Sequence, residues 1–277
     1  MADTDHIAIV ELGPDDALAG LELSTEAHWN QNEADWRFFL SNGTVFGVRD
    51  NDDHLIATAA LLPYTAGNAW ISMVLVTASW RRRGLATKLI DACLDTATKR
   101  GLTPWLDATP AGAAVYGPLG FTAMLPLRRL RLEHSTPPQA AALQRLSIGN
   151  LDEFIARDTG TMGFNRSTLL REIGGRPASR LVSSGGAVAL IRDGRKARHI
   201  GPLFAEGPDR ALALVDEIAR SETGPLLIDA VSTQEEFMKD LTDNGWMIER
   251  PFQRMRFGPA NALPAELPFA VAGPEYG

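Results

Sequence analysis

Apolar and polar positions along the chain switch repeatedly between a period near two and a period near 3.6, so the chain reads as strands and helices in alternation. Residues 7 to 12 alternate as a strand, and Gly13-Pro14-Asp15-Asp16 is a turn that opens a helical stretch through Trp36 and Phe39, broken once on the way. Three strand-like runs follow, at Thr44 to Arg49, His54 to Leu62 and Ala69 to Val76, with turn residues between them. Their spacing predicts an antiparallel meander. From Leu85, the positions Leu85, Leu89, Ile90, Cys93, Leu94 and Ala97 mark one face of a helix, which Gly101 stops. A short strand at Thr103 to Ala108, a helix from Pro110 to about Tyr116 behind the N-cap residue Thr109, and a long strand from Phe121 to Glu133 complete the first half.

The segment His134-Ser135-Thr136-Pro137-Pro138-Gln139 is polar and aperiodic, the expected look of a linker. It divides the chain into domains at 1–134 and 139–258, with a tail at 259–277. The second half predicts a helix near Ala140 to Arg157, strands at Leu181 to Ser183 and Ala187 to Arg192, and a helix from about Asp209 to Ser221. It continues with a strand at Leu226 to Ala230, a helix at Thr233 to Asn244 and a closing strand at Trp246 to Phe257. The tail is rich in proline and alanine, and Leu267 to Ala272 is apolar enough to dock as an extended arm.

Composition narrows the function classes. With 277 residues, 45% of them hydrophobic, the chain can bury a large core, and a formal charge of -7 argues against a general nucleic-acid binder. Cys93 is the only cysteine, so neither a disulfide framework nor a thiolate metal site can form within one chain. The five histidines show no metal-ligand spacing. The N-terminus is acidic and no apolar run approaches the roughly 20 residues of a membrane span, so a cytoplasmic protein with no membrane partner is expected.

Against that acidic background, Arg81-Arg82-Arg83-Gly84-Leu85-Ala86-Thr87-Lys88 stands out at a strand-to-helix junction. An anion loop needs converging backbone N–H groups, a glycine that admits the anion, and a helix N-terminus. This segment offers all three, although a solvated basic turn is an equal reading of the loop alone. It lacks the spacing and the Lys-Ser/Thr pair of a P-loop, and no Gly-x-Gly-x-x-Gly is present.

Val76-Thr77-Ala78-Ser79-Trp80-Arg81-Arg82-Arg83-Gly84-Leu85-Ala86 resembles the cofactor motif of the GNAT superfamily of N-acetyltransferases, Gln/Arg-x-x-Gly-x-Gly/Ala after a strand valine. Ala113-Ala114-Val115-Tyr116-Gly117-Pro118-Leu119-Gly120-Phe121 resembles the second signature of that superfamily, a short helix ending in Tyr-x-x-x-Gly-Phe. The resemblance covers about residues 7 to 133 and implies the α/β (α+β) GNAT fold, a mixed, mainly antiparallel sheet flanked by helices and splayed between its fourth and fifth strands. It implies acetyl-CoA as co-substrate, held by Val74, Leu75, Val76, Arg81, Arg82, Arg83, Gly84, Leu85, Ala86 and Thr87, with no metal. By the same resemblance the Val74 N–H is the donor to the acetyl carbonyl and Tyr116 the general acid toward the thiolate.

The chain departs from the superfamily pattern in two places. Thr109 stands where an asparagine is usual, and no carboxylate lies near Trp70 to act as base. Asp107, Glu26, His28 and Asp35 are the alternatives for the base, each also readable as a solvated or structural group. Trp29 and Asn30, together with Asp107, are candidates for the acceptor pocket, although Trp29 and Trp36 also have the spacing of a buried helix face. The second half looks like a degenerate acetyltransferase unit without the arginine–glycine loop and without a tyrosine before Gly245-Trp246. The whole therefore resembles tandem-type acetyltransferases. The expected reaction is acetylation of a small amine, amino-acid-like or polyamine-like, by a monomer or homodimer. The alternative is a non-catalytic acyl-CoA-binding module.

Overall fold

A computed structural model describes residues 8–133, 146–260 and 262–277. The linker segment His134-Gln139 and the first part of the helix expected near Ala140 lie outside the described residues. The chain folds into two compact units, Met1–Leu106 and Asp107–Gly277. This boundary falls well before the polar linker of the sequence.

In the first unit, β1 (Ile9–Glu11), β2 (Thr44–Arg49), β3 (Leu55–Pro63) and β4 (Asn68–Val76) form the expected antiparallel meander, and β5 (Thr103–Ala108), within which the unit boundary falls, pairs parallel to β4. β3 is buried along nearly its whole length rather than on alternate residues. Its Leu-Ile-Ala-Thr-Ala-Ala-Leu-Leu run is what a strand covered on both faces requires.

The helical stretch divides into α1 (Ala17–Glu26) and α2 (Glu33–Asn42), the latter opened by a capping box in which Asn32 and Asp35 exchange backbone-to-side-chain hydrogen bonds of 2.9 and 3.1 Å. Trp36 is fully buried, its Nε1–H donates to Ser24 Oγ at 2.9 Å, and a Cβ on Gly20 would come within 2.5 Å of its ring. Trp29 lies in the connector between the helices, so the two tryptophans do not share a helix face.

α3 (Leu85–Lys99) buries Leu85, Leu89, Ile90, Cys93 and Ala97. It ends in a Schellman motif, with Gly101 at φ +64° while Leu102 N–H reaches Ala97 O at 2.8 Å and Gly101 N–H reaches Thr98 O at 3.1 Å.

The second unit begins with α4 (Pro110–Tyr116), capped by the Thr109 hydroxyl, which accepts from Gly112 N–H at 3.3 Å. Next come β6 (Phe121–Leu132), β7 (Ser147–Ile148), α5 (Leu151–Met162), α6 (Ser167–Gly175), β8 (Arg180–Ser184), β9 (Ala187–Arg192) and β10 (Arg198–Phe204). α7 (Pro208–Ser221), β11 (Leu226–Val231), α8 (Glu235–Asp243) and β12 (Met247–Phe257) follow. The strand order here is β12-β6-β11-β10-β9-β8-β7, with β10 and β11 parallel and the other neighbours antiparallel. α6, β7 and β10 are additions to the elements expected from the sequence. β6, which the sequence reads as closing the first half, is bonded on one side to β11 and on the other to β12. The core of this unit is Ala189, Ile191, Ile200, Leu203, Leu214, Ile218, Ile228 and Phe237, packed between the sheet and α7 and α8.

The tail docks as an extended arm. Phe269, Ala270, Val271, Ala272 and Tyr276 are all buried, and backbone hydrogen bonds tie Phe269 and Ala270 to Leu203 and tie Phe269 and Val271 to Val231 and Asp229.

Candidate active site

Three features of the first unit converge on the exit of β4. The first is a β-bulge. Thr58 pairs with Leu75 and Ala60 with Ser72, so Met73 and Val74 together face the single residue Ala59. Met73 sits at φ +52°, costly for a side chain of its size, and the buried Thr58 hydroxyl donates to Met73 O at 2.8 Å, which holds the bulge in place. A bulge leaves an extra residue outside the ladder, which makes a backbone N–H available for another acceptor. Parallel pairing of β4 with β5 covers only Asn68 to Trp70, against Thr103 to Trp105, while β4 runs on to Val76.

The second feature is the loop from Thr77 to Gly84, which carries a single turn of 3-10 helix at Ala78–Trp80. Its arginines partly build the loop itself. Arg81 Nε–H donates to Val76 O at 3.0 Å, Arg83 donates to Ser79 O at 3.0 Å, and the Arg83 guanidinium lies 4.6 Å from the centre of the Trp80 ring. Arg82 and Gly84 both have positive φ, +63° and +78°. Gly84 is the N-cap of α3 and no atom lies within 4 Å of where its Cβ would be. A bare backbone in the left-handed region, with open space in front of the first turn of a 15-residue helix, is the geometry that an anion needs.

The third feature is Glu26, at the end of α1. Its carboxylate accepts from Thr77 Oγ1 and from Ala78 N–H, both at 2.7 Å, and so straps the end of α1 to the start of the loop. Those bonds, the backbone one first, hold its pKa below the usual carboxylate range, with a smaller contribution from Arg81. No motif singles out Glu26, because its partners are more than fifty residues away in sequence.

Tyr116 belongs to the second unit, as the last residue of α4. Its half-buried ring packs at 6.0 Å on Phe121 and passes so close to Gly112 that a Cβ there would meet it at 3.1 Å. The other sequence candidates divide by role. Asp35 is engaged in the α2 cap, Asn30 is buried in the α1–α2 connector, and Trp29 is half-buried beside it. Asp107, also in the second unit, is fully buried and receives both arms of the Arg254 guanidinium, each at 2.9 Å. Burial raises its pKa, and Arg254 partly offsets that shift.

The second unit also holds a polar cluster that the sequence did not announce. Asp229 accepts two hydrogen bonds from Arg129, at 2.9 and 2.7 Å, and one from His199 Nε2 at 2.8 Å, all within the core. Burial alone would raise the Asp229 pKa, yet Arg129 and His199 hold it far below the carboxylate range, while burial keeps the His199 pKa low. Asp229 in the otherwise apolar run Leu226-Leu227-Ile228-Asp229-Ala230-Val231 was the signal available in the sequence.

Comparison with known proteins decides the family. Residues 15–121 match the acetyltransferase (GNAT) family profile and residues 155–267 match a second acetyltransferase (GNAT) domain profile. The chain belongs to the GNAT acetyltransferase family, as a tandem of two such domains. Among relatives, it is 23% identical over 248 residues to the "Uncharacterized N-acetyltransferase YitH" of Bacillus subtilis, covering 86% of this chain and 87% of that one. In fold it is similar to a candidate acetyltransferase from Pyrococcus horikoshii, with a TM-score of 0.78 at 18% identity over 100% of this chain and 98% of the other. A tandem GNAT protein from the clavulanic acid biosynthesis pathway matches with a TM-score of 0.64 at 15% identity, over 92% of this chain and all of the other. The mixed, mostly antiparallel sheet flanked by helices is the fold shared with these GNAT structures. GNAT proteins use acetyl-CoA and act on small-molecule acceptors. Among the described residues, no helix of this GNAT protein is long and apolar enough to cross a membrane.

Proposed function

We propose that this protein transfers the acetyl group of acetyl-CoA to the amine of a small molecule, amino-acid-like or polyamine-like, by direct attack within a ternary complex. The observation that carries the proposal is Gly84, left-handed and open at the N-terminus of α3. The N–H groups of Leu85, Ala86 and Thr87 would receive the pyrophosphate, and Arg81, Arg82 and Arg83 supply the positive field in an otherwise acidic chain. The backbone of Val74, Leu75 and Val76 would hold the pantetheine arm, with the Val74 N–H at the bulge polarising the carbonyl. When bound, acetyl-CoA supplies an activated acyl carbon.

The amine nitrogen would form its bond to that carbon as the carbon–sulfur bond breaks, losing its proton to water, while Tyr116 Oη would deliver a proton to the departing sulfur and recover one from solvent. Trp29 and Asn30, on the connector beside α1, are assigned to the acceptor. Asp107 is assigned to holding Arg254, because both of its carboxylate oxygens are engaged by the bidentate guanidinium. We assign domains at 1–134 and 139–258, with 259–277 as a tail; the two family matches, at residues 15–121 and 155–267, support a division into two domains, and the second match runs on into the tail.

The test is release of free thiol from acetyl-CoA across a panel of small amines. Turnover with at least one amine is expected, and tight CoA binding without turnover on any amine would instead indicate a non-catalytic binding module. Tyr116→Phe should lower kcat by about 10²-fold or more, with CoA affinity nearly unchanged. An unchanged rate would remove Tyr116 from the mechanism.

A further inference from the structure

The two units each contain a parallel strand pair that opens into a wedge. In the second, β10 and β11 pair through Arg198, His199 and Ile200 against Leu226, Leu227 and Ile228, then part at a bulge in β10 between Ile200 and Leu203. Diverging strands leave facing rows of N–H and C=O groups that need partners. Here the tail supplies them. Leu203 N–H donates to Ala270 O at 3.0 Å and Phe269 N–H donates back to Leu203 O at 2.9 Å. On the other side, Val231 N–H donates to Phe269 O and Val271 N–H to Asp229 O, both at 3.0 Å. The fit depends on a bare backbone at Gly201, where a Cβ would stand 2.1 Å from Val271 O.

Side chains lock the segment in. Phe269 meets Phe237 edge-on at 5.2 Å, Glu275 pairs with the buried Arg192, and Arg166, itself paired with Asp158, donates to the carbonyls of Tyr276 and Gly277. Family similarity of the second unit ends at residue 267, just before this segment.

We propose that Phe269–Val271 is the chain's own stand-in for a pantetheine arm, a built-in occupant that closes the wedge of the second unit to acyl-CoA. The inference rests on the proposed reading of the β4 wedge as the acyl-CoA cleft. A pantetheine arm carries two amides, so a peptide strand offers the same alternation of donors and acceptors. The second unit is then closed by occupation, and each chain takes one acyl-CoA.

The experiment uses the full chain and reads amide hydrogen exchange at Leu203 and Val231, whose N–H groups bond the tail. In the unaltered chain both should exchange slowly, pantetheine should leave them unchanged, and calorimetry with CoA should give one site. Val271→Pro removes the N–H that bonds Asp229 and should speed exchange at both amides by about tenfold or more. Millimolar pantetheine should then restore protection. Phe269→Ala, which keeps every backbone hydrogen bond of the segment, should show the same pattern more weakly.

Two CoA sites per chain, or pantetheine protection of these amides with the tail in place, would overturn the proposal. So would a released tail whose wedge pantetheine fails to protect. A chain with no CoA site at all would sink the loop assignment, while the exchange at Leu203 and Val231 would still report on the wedge.

Discussion

Two strand-to-helix corners, one in each unit, differ in the ways that decide whether an anion can sit there. After β4, eight residues from Thr77 to Gly84 lead into α3, with three arginines and a left-handed glycine at the helix start. After β10, only Ala205-Glu206-Gly207 intervenes before α7, whose first residue is Pro208. Proline removes an N–H from the first turn, and Glu206 brings a negative charge to the place where the first unit has arginines. Both strands keep a bulge, at Met73–Val74 in one and between Ile200 and Leu203 in the other. The strand scaffold is therefore retained in both units, while, among the described residues, only the first has the arginine-rich loop with a left-handed glycine at the helix start. Family membership of a domain fixes its strands more firmly than its ligand.

The contrast breaks most visibly at the tail. Glu275→Ala removes the carboxylate paired with the buried Arg192, and breaking a buried ion pair by removing one partner costs about 3–5 kcal/mol. Denaturant melts should show that loss in the second unit with little change in CoA affinity. A near-neutral result would mean that Arg192 finds water or another carboxylate when the tail loosens.

A smaller effect concerns pH. His199 is fully buried with its pKa held low, so the folded chain keeps it neutral where the unfolded chain, with a pKa near 6.5, takes up a proton. Stability should therefore fall as pH drops below about 6.5, by at most about 1.4 kcal/mol per pH unit for this one group. Asp229, with its depressed pKa, keeps its contribution until the pH falls below about 3.9, the unfolded carboxylate value. His199→Gln should flatten the stability curve between those limits, and an unchanged curve would place the acid sensitivity elsewhere.

The smallest expected effect is in the first unit. Glu26→Gln keeps the shape of the strap but weakens its bonds to Thr77 and Ala78, and should raise the Kd for CoA by a few-fold at most, about 1 kcal/mol. A hundredfold loss would give Glu26 a direct role.

Much of this was legible in the sequence because it is local. The meander, α3 with its glycine stop, α4 behind Thr109-Pro110, and the arginine–glycine loop all announce themselves within a dozen or so residues. What escaped depends on distant partners or on irregular backbone. β10 does not read as a strand because Gly201-Pro202 interrupts its apolar run. α6 is short and ends in Gly174-Gly175, which hides its period. Arg129 stands in the basic run Arg128-Arg129-Leu130-Arg131, where nothing local sets it apart, but its side chain turns inward to Asp229, a partner 100 residues away. The apolar tail was legible as an arm able to dock, but where it docks required knowing that β10 and β11 part.

The central claim is that one loop in the first unit holds the acyl-CoA. Calorimetric titration of CoA into the unaltered chain and into Gly84→Asp tests it most directly, because an aspartate there adds both a side chain at φ +78° and a negative charge facing the phosphates. The expected result is one site in the unaltered chain and at least about a hundredfold weaker binding in the variant. Equal affinity in the two would contradict the assignment of the loop.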